Sequence, residues 1–228
     1  MTTKKFVKAK FGFEPHTMQR FMSKLRGMDH VLRWNFYPRH HQQSVMEHTG
    51  WVTMFAHLLL TIDEQPLHQL SRRVGLTMYR RAWVLSSAIS HDMEEAITGD
   101  GPYLLKKHIG EEAWANAVKA GLAELFCDCP PKVMDDLSTW CEEAKTREWG
   151  KYVKAADLFD VLKYAQDEAH LGSSRAFKRI GNEAIYLIRQ LELPAADTLL
   201  AAMGCGKKRG IKVTGDISHL GEDGAVLP

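Results

Sequence analysis

Residues 76–90 are apolar at so many positions that, wound as a helix, they leave little polar face for solvent; the segment predicts a buried helix near the centre of a helical fold. It runs directly into Ser90-His91-Asp92-Met93-Glu94-Glu95-Ala96-Ile97-Thr98-Gly99-Asp100-Gly101-Pro102. A His-Asp pair therefore stands at the end of a core element. Glu95 follows His91 by four residues, which places both on the same side of a helix. A neutral imidazole beside a carboxylate is a nitrogen-and-oxygen ligand pair for a divalent cation.

The remaining segments also read as helices. Met18, Phe21, Met22 and Leu25 recur at helical spacing over 16–25. Residues 33–43 are polar and broken by Pro38, and predict a long loop. Ser44 and Glu47 have the offset of a capping box, so a helix begins at Val45 and runs to 62, burying Val45, Trp51, Val52, Met54, Phe55, Leu58, Leu59 and Leu60, with His48 in its first turn. A connection with a short helix is expected over 64–75. Further helices are expected at 102–108, 111–126, 131–145, 149–170 and 173–191, two of them opened by proline. Strand signals are nearly absent, so the fold class is all-α, a compact helical bundle. Trp83, Trp114, Trp140 and Trp149 read as core or interface aromatics.

With 228 residues and 45% hydrophobic content, one core is enough. The expected division is a single domain over 1–203, with the chemistry-bearing part at about 33–170, and a Gly-rich, flexible tail over 204–228. The formal charge of +2, from 30 Lys+Arg against 28 Asp+Glu, gives no broad basic field for coating a nucleic acid. Lys207-Lys208-Arg209 reads as a solvated tail cluster. Cys127, Cys129, Cys141 and Cys205 include no CxxC pair, which predicts reduced thiols. The N-terminal residues lead into no apolar stretch of signal type. The apolar run at 51–62 is interrupted by His57 and falls short of the ~20 residues of a membrane span. A cytoplasmic protein without membrane contact is expected.

A divalent site needs about three to six ligands from different elements. His48 and Asp157, the latter set among small and apolar neighbours, are the candidates to join His91 and Asp92. Each has a plainer reading: His48 as a polar residue at a helix start, Asp92 as a solvated loop charge, and Asp157 as the partner of Lys154. Glu95 is alternatively a surface charge beside Glu94, and Arg33-Trp34 an aromatic anchor with a stacked cation.

The order His48, His91-Asp92, Asp157 on a helical chain resembles the HD superfamily of metal-dependent phosphohydrolases. Arg33-Trp34, Glu47-His48, His91-Asp92 with Glu95, Thr98-Gly99-Asp100, Pro102 with Lys106, Val153-Lys154 and Ala156-Asp157 are, in that order, similar to the bacterial YfbR-type 5'-deoxynucleotidases. The resemblance implies an HD-domain bundle in which His48, His91, Asp92 and Asp157 ligate one divalent ion, with Co, Mn, Mg, Zn and Fe all open. It further implies that Glu95 acts on the water or the leaving group and Arg33 holds phosphate. Trp34 would pack against the sugar and disfavour a 2'-hydroxyl, while Asp100, Gly101, Pro102 and Tyr103 would line the nucleoside side. Gly101 and Tyr103 depart from the Leu and Thr of those relatives, and Arg39-His40-His41 makes the loop more basic.

The expected reaction is hydrolysis of a 2'-deoxynucleoside 5'-monophosphate to deoxynucleoside and phosphate. One alternative is a dNTP triphosphohydrolase, like the related phage dATP triphosphohydrolases, releasing triphosphate. A catalytically silent nucleotide-binding module is the other. The partner is a small deoxynucleotide, and a homodimer or higher homo-oligomer is expected from the many apolar helical faces.

Overall fold

A computed structural model describes residues 15–64, 74–101, 103–129, 131–146, 148–173 and 175–206. The connection 65–73, Pro102 and the tail from 207, Lys207-Lys208-Arg209 included, lie outside the described residues.

Among the described residues the elements are all helical. They are α1 (Pro15–Leu25), a 3-10 turn (Arg26–Asp29), α2 (Val45–Glu64), α3 (Val74–Ser90), α4 (Glu95–Thr98), α5 (Tyr103–Ile109) and α6 (Glu111–Phe126), followed by α7 (Pro131–Thr146), α8 (Gly150–His170), α9 (Arg175–Gln190) and α10 (Pro194–Ala202). The all-α expectation holds. The 3-10 turn, α4 and α10 were not anticipated, although Pro194 at the first turn of α10 is a start signal.

The centre of the bundle is α8 rather than α3. Helix α8 packs against α2, α3, α7 and α9, and Ala155 and Ala156 on it are wholly buried, letting neighbouring backbones approach closely. Helix α3 buries Trp83, Val84 and Ala88 but leaves Met78, Tyr79 and Ile89 more than half exposed. The apolar richness of 76–90 thus exceeds what the fold covers. Trp83 lies edge-on to Trp140 and Trp149, with ring centroids 6.5 and 5.8 Å away.

Helix α2 shows the same excess. Its buried face is Val45, His48, Thr49, Val52, Phe55, Ala56, Leu59 and Leu60, which recur every three to four residues. Trp51, Met54 and Leu58 point away from that face and stand 50%, 52% and 39% exposed, against the expectation that they are buried. The main core joins this face to Phe159 and Leu162 of α8, Ile188 of α9 and Leu200 of α10. Each large apolar side chain so buried contributes about 1.5–3 kcal/mol.

Two local devices set the site. The loop 33–43 is pinched at its base by a bridge between Leu32 and Ser44, with Arg33 N donating to Gln43 O at 2.9 Å and Val45 N to Val31 O at 2.9 Å. That brings Arg33 and Trp34 beside the start of α2. The turn after α3 is anchored by Met93, buried with Phe21, Leu125, Phe126 and Cys141. Helix α4 then lies against α6 at Gly121, where a Cβ would meet Thr98 Cγ2 at 2.7 Å. All four cysteines are free thiols.

Candidate metal centre

Ser44 Oγ accepts from Glu47 N at 3.1 Å and starts α2, placing His48 fully buried one turn in. The Glu47 carboxylate does not close the capping box; it faces His41 Nε2 at 3.3 Å instead. His91 follows the last turn of α3, and its Nδ1 lies 2.8 Å from Ala88 O. A carbonyl oxygen only accepts, so Nδ1 carries hydrogen. On His48, Nδ1 lies 2.6 Å from Asp160 Oδ2, again an acceptor. Both rings therefore turn Nε2 inward, and the two Nε2 atoms are 3.3 Å apart.

Carboxylates flank the pair. Asp92 Oδ2 lies 3.1 Å from His91 Nε2 and 3.5 Å from His48 Nε2, and Asp157 Oδ1 lies 3.6 Å from His48 Nε2. Ligand atoms of His48, His91 and Asp157 all fall within 4.8 Å of one another. Nitrogen and oxygen ligands at about 2.0–2.2 Å from one ion sit about 3 to 3.5 Å apart, so the spacing fits a divalent cation. The electrostatics fit as well. Burial opposes charge on Asp92 and Asp157, yet His91 and His48 hold Asp92, and Lys154, His48, Arg33 and His91 hold Asp157, below the usual carboxylate range. Burial also opposes charge on His91, but Asp92 and Asp157 raise it to about 9. The flanking carboxylates thus favour positive charge at this point.

Around this point stand the other expected residues. Arg33 stays charged against its burial because Asp157, Asp92 and Asp100 surround it. Its Nε lies 4.0 Å from Asp100 Oδ1, while its buried Nη1 has no hydrogen-bond partner among the described residues. Glu95 is 4% exposed, and its Oε2 likewise has no partner among them. Burial, then Asp92 and Asp100, push its carboxyl up to about 8, with Arg33 and Lys106 pulling the other way. Glu95 thus holds a proton at neutral pH.

Trp34 stacks on Tyr164, with centroids 5.1 Å apart and planes 5° from parallel, and packs edge-on to Phe177; the Arg33 guanidinium lies 5.7 Å from its ring centroid. Its φ of 65° is a left-handed backbone for a bulky residue, a strain of about 1–3 kcal/mol that the surrounding contacts hold in place. The anchor reading of Arg33-Trp34 therefore describes its packing. Gly101 is buried for a packing reason too: a Cβ there would meet Trp114 Cη2 at 2.0 Å, and Lys106 Nζ covers the same ring at 4.7 Å. Pro102 and the side chain of Tyr103 lie outside the described residues.

Asp160 and Gln43 were missed. The rule that flagged Asp157, a carboxylate among apolar neighbours, applies equally to Asp160 three residues on. Asp160 is 3% exposed and Gln43 2%.

Separate elements of a helical bundle here bring two histidines and two aspartates close together, the arrangement of an HD-type fold. The sequence matches the YfbR-like 5'-deoxynucleotidase family over residues 20–204, and the chain belongs to that family. It is a phosphohydrolase. Among solved structures, an HD-domain phosphohydrolase from Listeria innocua shares 18% identity at a TM-score of 0.63, covering 81% of this chain and 86% of that one. The PH0347 protein from Pyrococcus horikoshii OT3 shares 20% identity at a TM-score of 0.61, covering 82% of this chain and 98% of that one. Both likenesses bear on the fold. No curated protein matches the sequence. Among the described residues no helix is long and apolar enough to cross a membrane.

Proposed function

We infer that this chain hydrolyses 2'-deoxynucleoside 5'-monophosphates to deoxynucleoside and orthophosphate with one divalent metal ion. The observation that carries the reading is the pair of inward Nε2 atoms 3.3 Å apart, flanked by Asp92 and Asp157 and overlooked by a buried arginine with a spare N–H. His48, His91, Asp92 and Asp157 would hold the ion. When bound, such an ion lowers the pKa of water toward neutrality and offsets charge on a phosphoryl oxygen.

The chain's own residues supply the rest. Arg33 Nη1 has no acceptor to lose, so a phosphate oxygen entering there gains a charge-assisted hydrogen bond without breaking one. As the phosphorus–O5' bond breaks, the departing oxygen needs a proton. Glu95, which burial pushes toward its protonated form, would give one and take one back from the attacking water, so the cycle balances. Trp34, wedged on Tyr164, is a rigid wall against which a sugar lacking a 2'-hydroxyl packs.

A longer phosphate chain would need further cations, and Arg39, His40 and His41 are the basic residues of the loop. In the folded chain Arg39 donates to Trp34 O at 3.0 Å and to Asn35 Oδ1 at 2.9 Å, and His41 faces Glu47. Both Nη atoms of Arg39 and the ring of His41 are thus already engaged, which favours the monophosphate reading, while Arg39 Nε is buried without a partner among the described residues. Incubation with dAMP, AMP and dATP under Co2+, Mn2+ or Mg2+, followed by product analysis, tests it. Orthophosphate from dAMP in preference to AMP is expected; triphosphate from dATP would overturn the assignment, and no turnover with any metal would favour a binding module.

A further inference from the structure

Asp160 belongs to no ligand set, yet three hydrogen bonds end on it. Gln43 Nε2 donates to Oδ1 at 3.1 Å and to Oδ2 at 2.9 Å, and His48 Nδ1 lies 2.6 Å from Oδ2. The other end of Gln43 is also engaged: its Oε1 accepts from the Trp34 indole at 2.9 Å. Every link has a fixed polarity. An indole N–H only donates and a carboxylate only accepts, so Gln43 must present oxygen to Trp34 and nitrogen to Asp160. The same carboxylate fixes hydrogen on Nδ1 of His48 and leaves the Nε2 lone pair facing Asp92, Asp157 and His91.

We propose that Asp160 is a positioning residue that sets the His48 tautomer and, through Gln43, makes the seating of the Trp34 indole and the holding of the metal ion one coupled unit. The proposal rests on the metal reading above. It goes beyond that reading by joining two parts of the pocket through a buried chain that touches neither substrate nor ion directly.

The fixed polarity supplies a test. Asn at 160 puts an NH2 group against His48 Nδ1 or against Gln43 Nε2. The second leaves Gln43 Nε2 a single acceptor at the Oδ2 position, and turning the Gln43 amide to meet the new NH2 sets its own NH2 against the indole N–H. Co2+ binding to the full chain is measured by calorimetry and by visible absorption of the bound ion, with no nucleotide present. D160N should lose about 10–100-fold in Co2+ affinity with an altered absorption band, as outer partners of metal-bound histidines do. W34F, which removes the indole N–H and keeps a ring on Tyr164, should act differently in the two backgrounds: no gain in the wild type, and recovery of affinity in D160N. The relay predicts that the two W34F effects differ by at least about threefold. Equal effects within that margin, or an unchanged D160N affinity, overturn it.

If D160N does not fold by circular dichroism, Gln43→Met cuts the chain one link earlier. W34F must then leave the Gln43→Met affinity unchanged, and a further loss beyond about threefold overturns the coupling. Because turnover is not read, a wrong substrate assignment leaves this test intact. A wild-type chain that binds no Co2+ overturns both.

Discussion

Asp157 and Asp160 sit three residues apart on α8 and do different work, and the difference comes from what faces them. Asp157 meets His48 Nε2 and Lys154, so its charge is open to an ion; Asp160 meets His48 Nδ1 and the Gln43 amide, so its charge is spent on orientation. Glu95 is a third kind of carboxyl, buried without a hydrogen-bond partner for Oε2 among the described residues and protonated up to about pH 8. A group so placed serves proton transfer better than ion binding. Glu95→Gln should therefore lower kcat by about 10²–10⁴-fold, measured by phosphate release, while Co2+ affinity changes little. Loss of metal affinity in step with activity would instead place Glu95 among the ligands.

Along α2, neighbouring apolar residues carry unequal weight. Leu59 is fully buried and Met54 is half exposed. Leu59→Ala should lose about 2–5 kcal/mol in denaturant unfolding, and Met54→Ala should stay within about 0.5 kcal/mol. Composition alone made the two alike. Helical spacing and caps located α6 to the residue and most other helices within a residue or two, because those signals are local. Which helix is central was not legible, since α3 is more apolar than α8 and only packing shows that α8 touches four neighbours. The site divides along the same line. The order His48, His91-Asp92, Asp157 singles out four residues that the structure places close together. Gln43 and Asp160 are 117 residues apart, and nothing short of the fold pairs their side chains.

For the whole molecule, the candidate metal centre ties pH to stability. His91 is raised to about 9 in the metal-free chain, so its protonated form stabilises the fold fully below the ordinary value of 6.5, and that contribution fades as pH rises toward 9. A bound ion needs the neutral ring, so binding to the folded chain releases a proton wherever the pH lies below about 9. Co2+ affinity should rise up to tenfold per pH unit as the pH climbs toward about 9, and the Tm gap between metal-loaded and chelator-treated protein should widen with it. A pH-independent gap would show that His91 is not a ligand. The loop that carries Trp34 is fastened elsewhere by quite different means: Glu168, wholly buried at the far end of α8, accepts from the main-chain N–H groups of His40 and His41 at 2.8 and 2.6 Å. Every amino acid but proline supplies such an N–H, so the fastening is blind to which side chains stand at 40 and 41. The side chains at 40 and 41 can therefore be exchanged while the frame that holds the loop stays shut.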